Sequence, residues 1–305
     1  MPAPTERFTV PKALTGQRLD KVLEALVDGY SKAQLQKLVR RGHVRLRGKR
    51  VVRSNGKVNK GDEISIEHDP VTAAPPPPEI EILYEDDKLL VVVKPTGMLT
   101  HGTDRAKGDD LAALLDVKYG PLPTSRGIER PGIVHRLDRE TGGVLVVARD
   151  EATLVALQDQ FRTRTVEKDY LALVSGHVTE SMLIDEPIGP VPGKSDRQQV
   201  DHADGKDAVT DIDVLESFEA HTLVSCRIHT GRRHQIRVHL AAHGYPVVGD
   251  PLYGTKRQVP LPTGRSLLAL HALRLAFDHP RTGERLTFEA PLYAEFDDAL
   301  RSLRR

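Results

Sequence analysis

Four consecutive prolines, Pro75–Pro78, follow Val71-Thr72-Ala73-Ala74 early in the chain. Each ring locks φ and removes a backbone donor, so such a run extends as polyproline and joins neither helix nor sheet. A chain interrupted in this way folds as separate bodies on either side. The expected organisation is a first domain over residues 1–70, a linker over 71–79 and a second domain over 80–305.

The two sides differ in charge. All 305 residues carry 44 Lys and Arg against 43 Asp and Glu, a formal net charge of +1. Residues 1–70 hold 15 basic and 8 acidic side chains, a net of +7, which leaves −6 for the remainder. Between Asp28 and Asp62 stand 11 basic residues and no acidic one. A total near zero therefore hides a basic head on an acidic body. A charge run is ordinarily a solvated face. Here it accompanies a foldable pattern, which favours a binding surface for nucleic acid.

In that pattern Leu19, Val22, Leu23, Leu26 and Val27 recur at the spacing of an amphipathic helix. Ser31 and Gln34 form a capping box, Leu35, Leu38 and Val39 make a second apolar stripe, and Gly42 suits a helix stop. Val44 and Leu46 alternate with His43, Arg45 and Arg47, a strand with one buried and one basic face. Asn55-Gly56 signals a turn, and Glu63 to Glu67 alternates again as a strand. Lys32, Lys37, Arg40 and Arg41 add charge to the polar helix faces, a lattice suited to phosphates along a folded RNA. Gln17-Arg18-Leu19-Asp20-Lys21, Ser31-Lys32, Arg41-Gly42-His43-Val44, Gly48-Lys49 and Val58 to Ile64 resemble the small RNA-binding domain first described in a ribosomal small-subunit protein. The resemblance covers about Gly16 to Glu67 and implies RNA contacts from Arg40, Arg41, Arg45 and Arg47.

Composition narrows the class. No apolar run approaches the ~20 residues of a membrane span. Met1 to Val10 is polar and Pro-rich and does not read as a signal peptide. Cys226 is the single cysteine, which excludes a disulfide scaffold and Cys-based zinc or iron–sulfur sites. The expectation is a soluble cytoplasmic protein with no membrane partner. With no Trp and 4% aromatics, its core must come from Leu, Val and Ile.

Beyond the prolines, Ile80 to Leu83 and Leu89 to Val93 read as strands around an Glu85-Asp86-Asp87 turn. Val144 to Ala148, Tyr170 to Val174 and Leu223 to Ile228 read as further strands. Leu154, Leu157 and Phe161 share a helix face, and a second helix runs from about Arg233 to His243. No regular βαβ alternation and no repeat is present. That favours an α+β domain with a mixed, mostly antiparallel sheet flanked by helices, beside a small N-terminal α/β domain.

Two clusters hold chemistry. His135-Arg136-Leu137-Asp138-Arg139-Glu140-Thr141-Gly142-Gly143 packs charge between two apolar stretches. A loop between strands can hold an acid rigidly at a cleft, and Arg136 and Arg139 favour the charged form of Asp138. A charged carboxylate is a competent nucleophile. The residues equally describe a surface turn with weak salt bridges. The second cluster is Gly231-Arg232-Arg233-His234-Gln235-Ile236-Arg237-Val238-His239. Its arginines near a helix start can draw in phosphate or pair with Asp138, or they form an ordinary basic face. His239 and His243 sit at i, i+4, but no acid or Cys completes a metal set. No Gly-rich phosphate loop and no dinucleotide fingerprint is present, so no cofactor and no metal is expected.

The runs Gly132 to Asp138 with Thr141-Gly142-Gly143, Thr165 to Val174, Gly231 to Leu240, and Gly249-Asp250-Pro251-Leu252-Tyr253-Gly254 resemble the RluA family of pseudouridine synthases. The resemblance spans about Ile82 to Ala299 and implies the pseudouridine synthase fold. It implies a cofactor-free isomerisation of uridine in RNA: the base is detached, rotated and rejoined through carbon five. The family's essential Asp maps onto Asp138, its aromatic partner onto Tyr170, and the Arg that pairs with the carboxylate onto Arg237. Ile236 would line the pocket beneath the base. Arg136 would help extrude the target nucleotide, and Arg232 would add a local cation. The chain departs from the usual pattern at Gly142, Val93 and Arg233. The expected substrate is large-subunit ribosomal RNA, with tRNA as the alternative, acted on by a monomer. Gly142 and Val93 motivate a second reading, a non-catalytic RNA-binding or ribosome-assembly factor. A third, a metal hydrolase, rests on His239 and His243.

Overall fold

The structure is a computed structural model that describes residues 5–27, 32–67, 79–102, 110–124, 130–254 and 268–305, with backbone alone at 32–34 and 37. The chain divides into two compact units, one N-terminal to Pro78 and one formed by Glu79–His101 with Asp110–Arg305. Pro75–Pro78 and the Ser31 capping box lie outside the described residues.

In the N-terminal unit, β1 (Thr5–Thr9), β2 (Val44–Leu46), β3 (Lys49–Val51) and β4 (Glu63–Glu67) form an antiparallel sheet in the order β1-β4-β2-β3. Helices α1 (Leu19–Leu26) and α2 (Lys32–Arg41) present Leu19, Val22, Leu23, Leu35, Leu38 and Val39 to Val44, Ile64 and Ile66 of the sheet. Strand β1 has no apolar alternation in its sequence and forms by pairing Thr5–Thr9 against Glu67–Glu63. Gly42 takes φ +73 at the end of α2. The Arg50 side chain folds over that end and donates to the Arg41 and Gly42 carbonyls at 2.7 Å each, using the helix's orphan acceptors.

The larger unit comprises β5 (Glu81–Glu85), β6 (Leu89–Lys94), α3 (Leu111–Tyr119), β7 (Gly142–Ala148), α4 (Glu151–Thr163), β8 (Glu167–Ser175) and β9 (Met182–Asp185). It continues through β10 (Ile188–Val191), β11 (Lys194–Val200), β12 (Val209–Ser217), β13 (His221–Ile228), α5 (Gln235–Ala242), β14 (Leu270–Asp278), β15 (Arg285–Glu289) and α6 (Ala294–Leu303). Nine strands form one sheet in the order β5-β6-β7-β14-β8-β13-β12-β9, with β15 paired to β14. Every pairing is antiparallel except β7 with β14. Alternation assigns the faces. Leu90, Val92, Leu145, Val147, Ala172 and Val174 pack with α3 and α5, whereas Leu89, Val91, Val144, Val146 and Ala148 pack with α4. Helix α6 covers Leu173 and Leu223.

The β7–β14 join sets the position of the loop before it. The two strands meet through His271 opposite Gly142 and Ala272 opposite Gly143. Gly143 has φ +123, and a Cβ there would stand 2.1 Å from the Ala272 carbonyl oxygen. Backbone strain of this kind costs about 1–3 kcal/mol before any clash. Gly143→Ala is therefore expected to lower the unfolding midpoint in urea, with stability lost by at least about 2 kcal/mol. An unchanged midpoint would contradict the close crossing.

Candidate active site

Asp138 sits in the loop that leads into β7, and that loop is stitched to the segment after β6. Lys94 is buried and donates to the carbonyls of Pro95 at 2.9 Å, Met98 at 2.7 Å and Arg139 at 3.2 Å. Thr100 Oγ1 donates to the Leu137 carbonyl at 2.9 Å and accepts the Leu137 amide at 3.1 Å. Thr96 Oγ1 donates to the Glu140 carbonyl at 2.6 Å, and the Gly97 amide donates to the Arg139 carbonyl at 2.8 Å. The backbone is thus held on both sides of Asp138, which is what a preorganised carboxylate requires.

The countercharge comes from α5. Arg237 Nη1 donates to Asp138 Oδ2 at 3.1 Å. Its other nitrogens form a fork on Asp250, Nε to Oδ2 at 2.7 Å and Nη2 to Oδ1 at 2.8 Å. Asp250 Oδ1 also accepts the Leu252 and Tyr253 amides, at 2.8 and 3.0 Å. Arg237 is 1% exposed. Burial opposes its charge, but the hydrogen bonds and charges of Asp250 and Asp138 outweigh burial and raise its pKa above the ordinary value. Burial likewise opposes the charge on Asp250, and Arg237 with the two amides brings its pKa below the carboxylate range. One buried guanidinium therefore serves two carboxylates, one locked and one facing a pocket.

That pocket has a volume of about 120 Å³ and is lined by Asp138, Tyr170, Ile236, Arg237, Arg136 and Arg232, among others. Tyr170 lies on β8, its hydroxyl pKa raised by burial and then by the charge of Asp138. Arg136 lines the pocket, but Arg139 turns away and donates from Nε to the Gly97 carbonyl at 3.0 Å. The expected flanking pair of cations is thus replaced by Arg136 and Arg237. Arg232 donates from Nε to the Asp207 carbonyl at 2.8 Å. In the N-terminal unit Arg45 pairs with Glu67 at 3.0 Å, and Arg47 forms a fork on Asp62 at 2.6 and 2.7 Å. Arg40 and Arg41 are exposed at the end of α2.

Three residues of the site escaped the sequence reading. Asp250 was visible only as part of a motif. His234 takes φ +57 ahead of α5, where its Nε2 lies 3.7 Å from Asp138 Oδ2. Tyr253 accepts the Gln198 amide at 2.8 Å and stands 2.8 Å from His234 Nδ1. Burial lowers the His234 pKa, and the charge of Asp138 opposes that shift. Thr141 is 2% exposed and lines the pocket, and among the described residues its hydroxyl has no hydrogen-bond partner. His239 uses both ring nitrogens within the protein, Nδ1 with Thr210 Oγ1 and Nε2 with the Glu186 carbonyl, each at 2.9 Å. It therefore offers no free lone pair to a metal.

A mixed sheet thus brings a carboxylate, its guanidinium partner and a tyrosine around one pocket, the parts of an enzyme site built on a charged carboxylate. The sequence matches the RNA pseudouridylate synthase family over residues 88–242. It is 38% identical over 303 residues to the uncharacterized RNA pseudouridine synthase YlyB of Bacillus subtilis, covering 98% of either chain. It is 37% identical over 299 residues to Ribosomal large subunit pseudouridine synthase D of Pseudomonas aeruginosa, covering 94% of this chain and 92% of that one. Human RNA Pseudouridylate Synthase Domain Containing 4 matches with a TM-score of 0.58 at 28% identity, over 73% of this chain and 93% of that one. The chain belongs to the RNA pseudouridylate synthase family and, as its RluA-type motifs imply, is an isomerase that forms pseudouridine in RNA. Among the described residues no helix is long and apolar enough to cross a membrane.

Proposed function

We propose that this enzyme modifies uridines of large-subunit ribosomal RNA in the cytoplasm, with Asp138 as the catalytic carboxylate. The observation that carries the reading is the Arg237–Asp138 pair at 3.1 Å beside Tyr170, on a loop tied down at both ends. A base must leave its stack to reach such a pocket. Tyr170 then offers a π-face to the uracil, Ile236 supports it from below, and Arg136 takes the space the base vacates. The unpartnered Thr141 hydroxyl meets the base edge. Asp138 acts at the bond between ribose and uracil while Arg237 steadies its charge. The bond from ribose to nitrogen one breaks and a bond to carbon five forms. Carbon five then releases a proton and nitrogen one gains one, so the atoms balance without a cofactor.

The ribosomal assignment rests on the relatives named ribosomal large subunit pseudouridine synthase D, including one of Neisseria meningitidis that is 38% identical over 296 residues. The basic N-terminal unit supports it as an RNA-docking domain, through Arg40, Arg41, Arg45 and Arg47. Pseudouridine maps of ribosomal and transfer RNA from cells with and without the protein test the assignment. Sites lost from large-subunit ribosomal RNA are expected; loss confined to tRNA would move the substrate to tRNA. Replacing Arg40 and Arg41 together by Ala is expected to lower the slope of log affinity against log salt by about 1.4, roughly 0.7 per phosphate contact on single-stranded RNA. An unchanged slope would remove these side chains from the docking surface.

A further inference from the structure

Beside the base pocket lies a second cleft of about 490 Å³ that shares Arg136, Tyr170 and Arg232 with it. Its remaining charged lining comes from Arg162, Arg164 and Lys168, and no lining residue is acidic. Arg162 is an exposed partner of Asp159. Lys168 differs from the rest because it is 7% exposed.

The strand explains why this ammonium has no carboxylate partner among the described residues. Along β8 the side chains alternate, so Lys168 and Tyr170 share the pocket face, roughly 6.6 Å apart along the strand. Glu167 and Asp169 point to the other face, where Arg274 bonds both and Arg285 and Arg227 bond one each. On its own face Lys168 has the Thr230 carbonyl at 3.4 Å and the Phe161 ring at 5.8 Å. An ammonium carries three donors, and one long hydrogen bond leaves most of that capacity unused. The charged and titratable groups lining its cleft are Arg136, Arg162, Arg164, Arg232, His135 and His229, the last held by Asp211 at 2.6 Å. His135 stacks on Phe161 with ring centroids 4.6 Å apart. None of them supplies a negative charge. Burial, and then the charge of Arg164, push the Lys168 amine down to about 8. A buried cation without an anion is costly, and an anion arriving from outside relieves that cost.

We propose that Lys168, with Arg164 at the cleft rim, binds a backbone phosphate of the RNA strand next to the flipped uridine. The shared wall sets the register: a nucleotide whose base rests on Tyr170 brings a neighbouring phosphodiester to Lys168. The site then selects strand position rather than sequence, since a phosphate carries no base information. The proposal rests on the reading that uracil occupies the Tyr170 pocket.

The test uses the full chain, a short oligouridylate, and the same oligomer with neutral methylphosphonate linkages. Lys168→Met is expected to weaken oligouridylate binding about tenfold and to lower the salt slope by about 0.7, one phosphate contact. Against the neutral oligomer the variant and the wild type are expected to bind alike. Lys168→Arg should restore part of the loss. An equal loss on both oligomers, or no loss on either, would overturn the proposal. Should the Met variant fail to fold, the Lys168 ammonium of the wild type is followed by NMR. Its pKa is expected to rise when oligouridylate is added, and an unmoved titration would overturn the proposal. Failure of the functional reading shows separately, as absent pseudouridine formation with the Lys168-to-phosphate coupling intact.

Discussion

Asp138→Asn is expected to abolish pseudouridine formation, by at least about 10³-fold in kcat, while the protein stays folded and continues to bind RNA. Both halves follow from the geometry. The substitution removes the charge facing the pocket but keeps an oxygen that accepts from Arg237 Nη1. Arg237 keeps its fork on Asp250, so no buried cation is stranded. The loop stays tied through Lys94, Thr96 and Thr100, none of which touches the Asp138 side chain. The unfolding temperature should therefore shift by no more than about 2 °C. A large fall in stability would mean that Asp138 holds the fold, and its loss of activity would then say little about chemistry.

Arg237→Met should do the opposite and damage both. It strands Asp250, whose side chain is 0% exposed in its ion pair, and removes the partner of Asp138. Breaking a buried pair from one side costs about 3–5 kcal/mol, which for a unit of this size lowers the melting temperature by about 10 °C. Turnover is expected to be lost as well. Arg237→Lys keeps a charge but cannot make the fork, and should fall between the two. The double variant Arg237→Met with Asp250→Asn should recover much of the stability and none of the activity, because it removes the stranded charge without restoring the partner. Recovery of turnover in that double variant would contradict the assignment of Arg237 to Asp138. Thermal melts and single-turnover assays on the same preparations read both quantities.

The parts of the molecule legible in the sequence are those whose signal is local. The stripes of α1, α2 and α4 and the buried run of β6 appear at the residues where period and apolar content place them. The helix expected from Arg233 begins instead at Gln235, because His234 takes a left-handed conformation and sets the turn into α5. Strand β1, TERFT, has no apolar period and is held by pairing with the distant β4, whereas the polar β11, KSDRQQV, is held in a hairpin with β10. The site divides in the same way. Asp138, Tyr170 and Arg237 stand in recognisable motifs. The source of the countercharge is a tertiary fact: Arg139, next in sequence, turns to a carbonyl, while Arg237 arrives from α5. Asp250 and His234 acquire roles through contacts with Arg237, Tyr253 and Asp138, so composition around Asp138 could not assign them. Lys168 was equally hidden, since only the strand's alternation separates it from the acids on either side.

On this reading the Asp138–Arg237 pair carries out the isomerisation. That role is tested most directly by tritium release from RNA labelled at carbon five of uridine, since that hydrogen leaves only if the base is rejoined through carbon five. The intact enzyme is expected to release tritium in step with the pseudouridine formed, and Asp138→Asn none above background, at matched folded concentration. Release by the Asn variant at the rate of the intact enzyme would contradict the account.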